Sequence, residues 1–400
     1  MTVKERFLRY VAIDSGSSEA SGTHPSTAKQ WDMARLLERE LQEMGAQKVR
    51  VSEQCYVYAE IPANVENQPA IGLIAHMDTS PSVATGPVHA RCVRYEGGDL
   101  EIGNGALMKA SEYESLARHI NHELIVTDGT TLLGGDDKAG VAEIMAACAL
   151  IIAQPQIKHG KICVSFTPDE EIGEGTDGFD VQGFGADFAY TVDGGATGEF
   201  ECENFNACSA KLIVHGFNIH PGSAKNKMRN AARMAMEFAS LLPDSETPEH
   251  TELREGFYHL SAMQGDEVEA TLGYIIRDHD RAKFERRKER MQTITAFLND
   301  KYGDGSFVLT LRDSYYNMKE KIEEHPEVIE RALRVLRAAG NEATLVPIRG
   351  GTDGARLSYL GLPCPNLPTG TYNMHGVLEY VSVPEMEQMV DVLVSLVRAE

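Results

Sequence analysis

Short apolar runs that end in acidic residues or histidine are the feature that most restricts the fold and chemistry of this sequence. Three such runs occupy residues 71–75, 161–167 and 188–192, and the groups that follow them are His76, the pair Glu170 and Glu171, and Asp193. Patterns with the helical period lie between the runs, as at 138–153. Strands that alternate with helices predict an α/β sheet with helices on both faces.

This alternation changes character near residue 206. Residues 210–215, 268–277 and 306–312 are typical of strands, and 226–242 and 281–298 are typical of helices. The five elements predict a strand–helix–strand–helix–strand module of the smaller α+β, ferredoxin-like type, inserted into the first domain. The expected boundaries are 1–205 plus 315–400 for the larger domain and 206–314 for the insertion.

Two segments of the larger domain carry more local expectations. An amphipathic helix is predicted from Ser26 to Met44, with Ser26 or Thr27 as its N-cap and Gly45 as its end. Residues 81–120 are rich in glycine and have little periodicity, so a long surface excursion is expected there.

Composition excludes several classes of function. The chain has 38 basic and 60 acidic residues, a net charge of −22, which argues against a nucleic-acid partner. No apolar run approaches the roughly 20 residues that span a bilayer, and the N-terminus lacks the pattern of a secretory signal. The seven cysteines form no CxxC pair. A cytoplasmic protein without a membrane or nucleic-acid partner is expected.

The acids and histidines after the runs form a candidate metal site. In open α/β sheets, ligands bind beyond the carboxyl ends of the strands, and imidazole with carboxylate suits zinc-like ions. Two ions about 3.5–4 Å apart would need a bridging carboxylate. The five candidate sites are the segment from His76 to Asp78, the segment from Asp136 to Lys138, the pair Glu170 and Glu171, Asp193, and His375. Each also has an ordinary interpretation: Asp136 and Asp137 as a helix cap, Glu170 and Glu171 as a solvated pair, Asp193 in a turn, and His375 in a loop.

Eight separated motifs resemble a known family. They are IAHMDTS (74–80), LLGGDDKAG (132–140), FTPDEEIGEG (166–175), TVDGG (191–195), NIHPGSAK (218–225), YIIRD (274–278), IRGGTDGA (348–355) and NLPTGTYNMHG (366–376). In this order they resemble the peptidase T family, which comprises tripeptide aminopeptidases of the zinc-dependent aminoacylase and glutamate-carboxypeptidase type. The segments ENFNA (203–207), GFYHL (256–260) and DSYYNM (313–318) favour that family within the superfamily.

The resemblance implies a role for each ligand. His76 and Asp193 would hold one zinc, Glu171 and His375 would hold the other, and Asp136 would bridge the two. Glu170 would be the general base and Asp78 would orient His76, as a carboxylate next to a metal-bound imidazole usually does. Cobalt or manganese can share such ligands with zinc.

The resemblance also assigns roles within the inserted module, which would be a lid domain over the substrate. His220 would stabilise the oxyanion, and Asn230 and Arg277 would bind substrate. Arg277 suits a peptide carboxylate because its guanidinium is a bidentate donor, although an ion pair with Asp278 or Asp280 is the alternative. Gly351 lies in a glycine-rich loop that would let substrate approach the backbone.

The resulting prediction is a dizinc aminopeptidase that removes the N-terminal residue from short peptides, most of all tripeptides. A homo-oligomer is compatible with this prediction. A dipeptidase, a carboxypeptidase or an N-acyl amino acid deacylase of the same superfamily would use the same ligands. A catalytically inactive binding protein on this fold is a further alternative. A nucleotide-binding oxidoreductase is disfavoured, since the GxGxxG pattern at 173–178 contains and follows acidic residues that repel a pyrophosphate.

Overall fold

The computed structural model of the chain describes residues 1–83 and 86–399, which leaves Ala84 and Thr85 of the expected excursion outside the described residues. The chain forms two compact units. The first unit comprises Met1–Cys202, Met318–Val346 and Thr352–Glu400, and the second comprises Glu203–Asn317 and Pro347–Gly351. Among the described helices, none combines the length and apolar character needed to cross a bilayer.

The strands, in chain order, are β1 (Gln47–Val51), β2 (Val57–Ile61), β3 (Ile71–His76), β4 (Arg91–Arg94), β5 (Leu100–Gly103), β6 (Ala106–Met108), β7 (Glu123–Val126), β8 (Ile162–Thr167), β9 (Phe188–Gly194), β10 (Glu199–Phe200), β11 (Asn206–His215), β12 (Phe257–Gly265), β13 (Glu269–Asp278), β14 (Phe307–Tyr315), β15 (Thr344–Leu345), β16 (Asn366–Pro368), β17 (Thr371–Tyr372) and β18 (Tyr380–Ser382).

The α-helices, in chain order, are α1 (Val3–Val11), α2 (Gln30–Met44), α3 (Gly135–Ala153), α4 (Val181–Phe184), α5 (Ala231–Ser240), α6 (Arg281–Tyr302), α7 (Lys319–Ile322), α8 (Pro326–Ala338), α9 (Asp353–Tyr359) and α10 (Val383–Leu396). Short 3₁₀ turns add to them, among them Glu170–Ile172 and Pro221–Ser223.

A six-stranded sheet in the order β1-β2-β8-β3-β9-β16 forms the centre of the first unit. The strands β8, β3, β9 and β16 are parallel, so their carboxyl ends meet at one edge. All residues of β3 and β8 are buried, which is typical of a parallel sheet covered on both faces. Helix α3 packs on β3 and β9 together with α1 and α10. Gly140 permits this close packing, because a Cβ there would lie 1.8 Å from the carbonyl oxygen of Val192.

The opposite face of this sheet is covered by a second apolar layer. Tyr56, Tyr58 and Ile74 pack with Phe184 of α4 and with Leu357 of α9. The unit also contains a four-stranded antiparallel sheet in the order β17-β18-β7-β4, with Tyr380 opposite Val126. The hairpin of β5 and β6 and the parallel pair of β10 and β15 complete it.

The second unit is a four-stranded antiparallel sheet in the order β12-β13-β11-β14, with α5 and α6 packed against it. Leu212 in β11 lies opposite Leu272 in β13 and Leu309 in β14. The buried cluster between sheet and helices includes Phe238, Phe284 and Leu298. The chain order β11-α5-β12-β13-α6-β14 is the ferredoxin-like order.

Several local predictions were wrong. The inserted module has a fourth strand, β12, and α5 begins at Ala231 rather than at residue 226. Helix α2 begins at Gln30, because the backbone N–H and the hydroxyl of Ser26 both donate to Asp169 instead of capping the helix. In the segment 81–120, expected to be a surface excursion, the described residues include the short strands β4, β5 and β6, which were not predicted.

Candidate metal centre

The parallel strands bring the candidate ligands of the first unit together at one edge of the six-stranded sheet. His76 is the last residue of β3, Asp193 is the penultimate residue of β9, and the 3₁₀ turn with Glu170 and Glu171 follows β8. Asp136 lies at the start of α3. The close approach of these side chains follows from the sheet topology, because parallel neighbours end at the same edge.

The carboxylate of Asp136 lies between two imidazoles that are far apart in the sequence. Its Oδ1 is 2.9 Å from Nε2 of His76, and its Oδ2 is 3.1 Å from Nε2 of His375. His76 Nε2 is also 3.4 Å from Oδ1 of Asp193, and His375 Nε2 is 3.0 Å from Oε2 of Glu171. The five predicted ligands therefore form two sets that share the two oxygens of Asp136.

The donor atoms of these side chains fit divalent ions. The ligand atoms of His76, Asp136 and Glu171 lie within 4.8 Å of one another, and so do those of His76, Asp137 and Asp193. Oε1 of Glu171 is buried and accepts no hydrogen bond from the described residues. A buried carboxylate oxygen without a donor is costly unless a cation compensates it, so this atom is available as a metal ligand. The set of imidazoles and carboxylates is the chemistry that zinc prefers.

The charges of the cluster depend on one another. Burial disfavours a charge on His76, but Asp193 and Asp136 outweigh burial and raise its pKa well above the usual value. Hydrogen bonds to Asp136 and Glu171 raise the pKa of His375 to about 11. Burial raises the pKa of Asp136, yet the hydrogen bonds of His375 and His76 outweigh it and lower that pKa overall. Burial raises the pKa of Asp193 to about 7. The imidazoles thus hold protons that a metal ion would displace.

Asp78 contacts both His76 and the turn that contains Glu170. The ring Nδ1 of His76 is 3.1 Å from the backbone carbonyl oxygen of Asp78 and 3.4 Å from its carboxylate. The carboxylate accepts the backbone N–H groups of Glu170 at 3.1 Å and Glu171 at 3.3 Å. Asp78 therefore lies where it can orient the imidazole, with its main chain as the nearer acceptor, and it also holds the turn.

Glu170 lies in the 3₁₀ turn beside Glu171, one of the predicted ligands. Burial raises its pKa well above the usual value of a carboxyl group, an effect that the nearby charge of His76 only partly offsets. Asp169 precedes the turn and adopts a left-handed conformation with φ of 57°. Its carboxylate accepts hydrogen bonds from Ser26 and Gln30, which hold this end of the turn in place. A carboxyl group that readily holds a proton beside a metal ligand is suited to proton transfer.

Two buried acids that the sequence did not single out support this cluster. Asp137, joined to Asp136 by a cis peptide bond, accepts the backbone N–H of His76 at 3.1 Å and that of Gly140 at 3.2 Å. The helix-capping interpretation thus applies to Asp137. Glu379 accepts the backbone N–H of Asp136 at 3.0 Å. Both carboxylates accept hydrogen bonds from backbone N–H groups of the cluster. The spacing of side-chain types in the sequence does not reveal these contacts.

The other predicted residues belong to the second unit. His220 precedes a 3₁₀ turn, and its Nδ1 accepts the backbone N–H of Gly222 at 3.1 Å. The side-chain oxygen of Asn230 caps α5 by accepting the backbone N–H of Arg233 at 3.0 Å. A Cβ at Gly351 would lie 2.6 Å from the ring of Tyr315, so packing within the unit requires glycine there.

Arg277 in β13 has spare hydrogen-bonding capacity. Its Nη1 donates to the backbone carbonyl of Arg349 at 2.8 Å, whereas its Nε is buried and has no acceptor among the described residues. The neighbouring Asp278 is instead paired with Arg287 at 2.9 Å. Because Asp278 is already paired with Arg287, an ion pair between Arg277 and Asp278 is a weaker alternative.

Known proteins resemble this chain in sequence and in fold. Residues 202–306 match the peptidase dimerisation domain family. A peptidase T from Clostridium novyi is 50% identical over 399 residues, which cover 99% of this chain and 98% of that protein. The crystal structure of the aminopeptidase PepT from Bacillus cereus has a TM-score of 0.79 at 20% identity and covers 99% of this chain and 97% of that one. A dinuclear metal-binding peptidase of the M20 family from Bacillus subtilis has a TM-score of 0.68 at 14% identity, with 99% and 96% covered.

These similarities confirm the α/β fold class and the resemblance on which the functional expectations rest. Half of the aligned residues are identical, and the alignment covers nearly all of both chains. It therefore includes both structural units. The chain therefore belongs to the peptidase T family of M20 metallo-aminopeptidases.

Proposed function

We propose that this chain is a two-metal aminopeptidase that removes the N-terminal residue from tripeptides. The observation that carries the proposal is Asp136, whose two oxygens lie 2.9 and 3.1 Å from the imidazoles of His76 and His375. A carboxylate that faces two such groups suits a bridge between two ions. The tripeptide preference is supported by the peptidase T relatives.

We propose His76 and Asp193 as ligands of one ion, Glu171 and His375 as ligands of the other, and Asp136 as the bridge. Zinc is the proposed ion, and cobalt or manganese suits the same atoms. When bound, the ions would act as Lewis acids toward the peptide carbonyl and would lower the pKa of water.

Glu170 is the proposed general base. Its place beside Glu171 puts its carboxylate next to the ligands without requiring it to be one. It would take a proton from the attacking water and deliver that proton to the leaving amine. Asp78 would keep the turn and the ring of His76 in place through the contacts at 3.1 Å described above.

The second unit is proposed as the lid domain, in which His220 stabilises the oxyanion. Arg277 is proposed to bind the peptide carboxylate, which is supported by its buried Nε, for which the described residues offer no acceptor. The cap that Asn230 forms uses its oxygen, so its amide N–H₂ is the group proposed to contact substrate. The backbone carbonyl of Arg349 accepts a hydrogen bond from Arg277. Gly351 lies two residues further along the chain, and its backbone is proposed to line the substrate site.

The family match over 202–306 indicates a homo-oligomer, and we propose that the second unit forms its interface. A cytoplasmic location and peptides as the sole class of partner are proposed on the sequence. Light scattering after gel filtration tests the oligomer, and a monomeric mass at micromolar concentration would contradict it.

Product analysis on matched di-, tri- and tetrapeptides tests the proposed reaction. A free tripeptide should release its first residue fastest, and its N-acetylated form should remain intact. Equal turnover of all three lengths would overturn the tripeptide preference, and cleavage of only the acetylated form would favour a deacylase. Two bound ions without hydrolysis of any peptide would favour an inactive binding protein.

A further inference from the structure

A buried carboxylate from the end of the chain binds the backbone of the loop that contains Asp136. Glu379 is 1% exposed. Its Oε2 accepts the backbone N–H groups of Leu133 and Gly134, both at 2.8 Å, and its Oε1 accepts that of Asp136 at 3.0 Å. One side chain therefore binds three of the four backbone N–H groups of the segment 133–136.

The same residue is tied to the loop that contains His375. Glu379 follows His375 by four positions, and its own N–H donates to the carbonyl of Gly376 at 3.2 Å. Strand β18 begins at the next residue and anchors this loop in the four-stranded sheet. Glu379 thus joins two loops whose side chains meet at 3.1 Å, Asp136 Oδ2 and His375 Nε2.

Two glycines limit how the segment 133–136 can be held in place. Gly134 adopts a φ of 76°, and a Cβ at Gly135 would lie 2.7 Å from Thr371 and 3.0 Å from Oε1 of Glu379. Side chains are therefore excluded at these two positions, and backbone N–H groups remain as the points of attachment. A carboxylate offers two acceptor oxygens and forms charge-assisted bonds, whereas an amide would turn one N–H₂ group toward an N–H donor.

We propose that Glu379 is a positioning residue that sets the separation of Asp136 and His375, and hence the affinity for the ion that these two residues share with Glu171. This inference rests on the proposed two-metal function. Groups that hold ligands in place typically contribute ten- to a hundredfold to metal affinity. Glu379 would do so through the main chain of one ligand and the loop of the other.

The test is a zinc titration of the metal-free full-length protein by calorimetry, with Glu379→Gln and a matched control. Glu385→Gln is the control, because Glu385 is a largely buried acid at the start of α10 that accepts hydrogen bonds from Tyr372 and His119 and none from 133–136. In Glu379→Gln the dissociation constant of at least one of the two bound ions should rise about ten- to a hundredfold. In Glu385→Gln both constants should stay within about threefold of wild type.

Circular dichroism and the melting temperature of the metal-free variants show whether the fold is kept. Raising the zinc concentration should restore kcat of Glu379→Gln while KM stays unchanged, which a lost substrate contact would not do. If Glu379→Gln does not fold, Glu379→Asp, which keeps the charge on a shorter side chain, should show the same weakening.

Wild-type zinc affinity in a folded Glu379 variant would overturn the positioning role and leave the proposed function intact. Failure of both variants to fold, with or without zinc, would assign Glu379 to the fold itself and would also overturn the proposal. If the wild-type protein does not bind two ions, the proposed two-metal function is wrong, and this inference, which rests on it, is wrong as well.

Discussion

The carboxylate of Asp78 accepts the backbone N–H of Glu170 at 3.1 Å. This bond fixes the main chain of Glu170, while its side chain remains outside the two sets of ligands that share Asp136. Glu170 is thus separate from the groups proposed to hold the ions, and substitutions can test the two proposed roles independently.

Replacing Glu170 by alanine should reduce kcat about 10²–10⁴-fold while both ions stay bound, because a general base contributes that much and is not a ligand. Peptide hydrolysis and metal analysis on the same sample measure the two effects. Glu174→Gln, an exposed acid in the same loop, is the control and should keep full activity. Near-normal turnover in Glu170→Ala would contradict the assigned role.

Replacing Asp136 by alanine should remove both ions, because both imidazoles would lose their shared partner. Metal binding stabilises the folded state, so the melting temperature of the zinc-loaded protein should fall toward that of the metal-free protein. Elemental analysis and thermal melting check this. Asp391→Ala, at an exposed position on α10, should change neither quantity. Two ions retained in Asp136→Ala would rule out a bridge.

Replacing Glu143 by glutamine should stabilise the protein increasingly as the pH rises. Both oxygens of Glu143 are buried without a hydrogen-bond donor among the described residues, and burial raises its pKa well above 4.5. The folded state therefore binds this proton more tightly than the unfolded state. Stability is highest below the unfolded pKa and falls by up to about 1.4 kcal/mol per pH unit until the folded pKa is passed.

Melting temperatures of wild type and Glu143→Gln between pH 5 and pH 9 measure this difference. The melting temperature of Glu143→Gln should exceed that of wild type by a margin that grows as the pH rises. Glu43→Gln, at an exposed position in α2, should leave the wild-type pH profile unchanged. A gap that stays constant across this range would show that Glu143 does not hold its proton in the folded state.

Replacing Arg277 by alanine should weaken binding of peptides that have a free C-terminal carboxylate. A hydrogen bond to a charged group contributes about 1.5–3 kcal/mol, so KM should rise roughly ten- to a hundredfold. A C-terminally amidated tripeptide should show little change, and Arg312→Ala, at an exposed position in β14, should behave as wild type. Equal losses on both peptides would place Arg277 outside carboxylate recognition.

The positions of His76 and Asp193 could be predicted because each ends an apolar run, and buried parallel strands impose such runs. Strand β12 was missed, since most of its residues are exposed and its sequence lacks alternation. The start of α2 was misplaced because Ser26 has two possible partners, and Asp169 is distant in sequence. Competition between a local cap and a distant acceptor is decided only in three dimensions.

The role of Glu379, and the bond of Asp137 to the backbone of His76, could not be recognised from the sequence for a related reason. Their partners are backbone N–H groups, and every residue except proline supplies one. His76 and Asp78, and the pair at 170–171, in contrast, follow predicted strands, and this position identifies them in the sequence. Sequence patterns therefore indicate the groups that contact a ligand better than the groups that hold the main chain around them.

The separation of Asp136 and His375 along the polypeptide has a consequence for biosynthesis. A nascent chain that has not yet reached residue 375 possesses four of the five proposed ligands and lacks the partner of Asp136 Oδ2. The proposed centre can therefore close only after the loop that contains His375 has been synthesised and has folded against Asp136. Binding of both proposed ions is expected to follow that step.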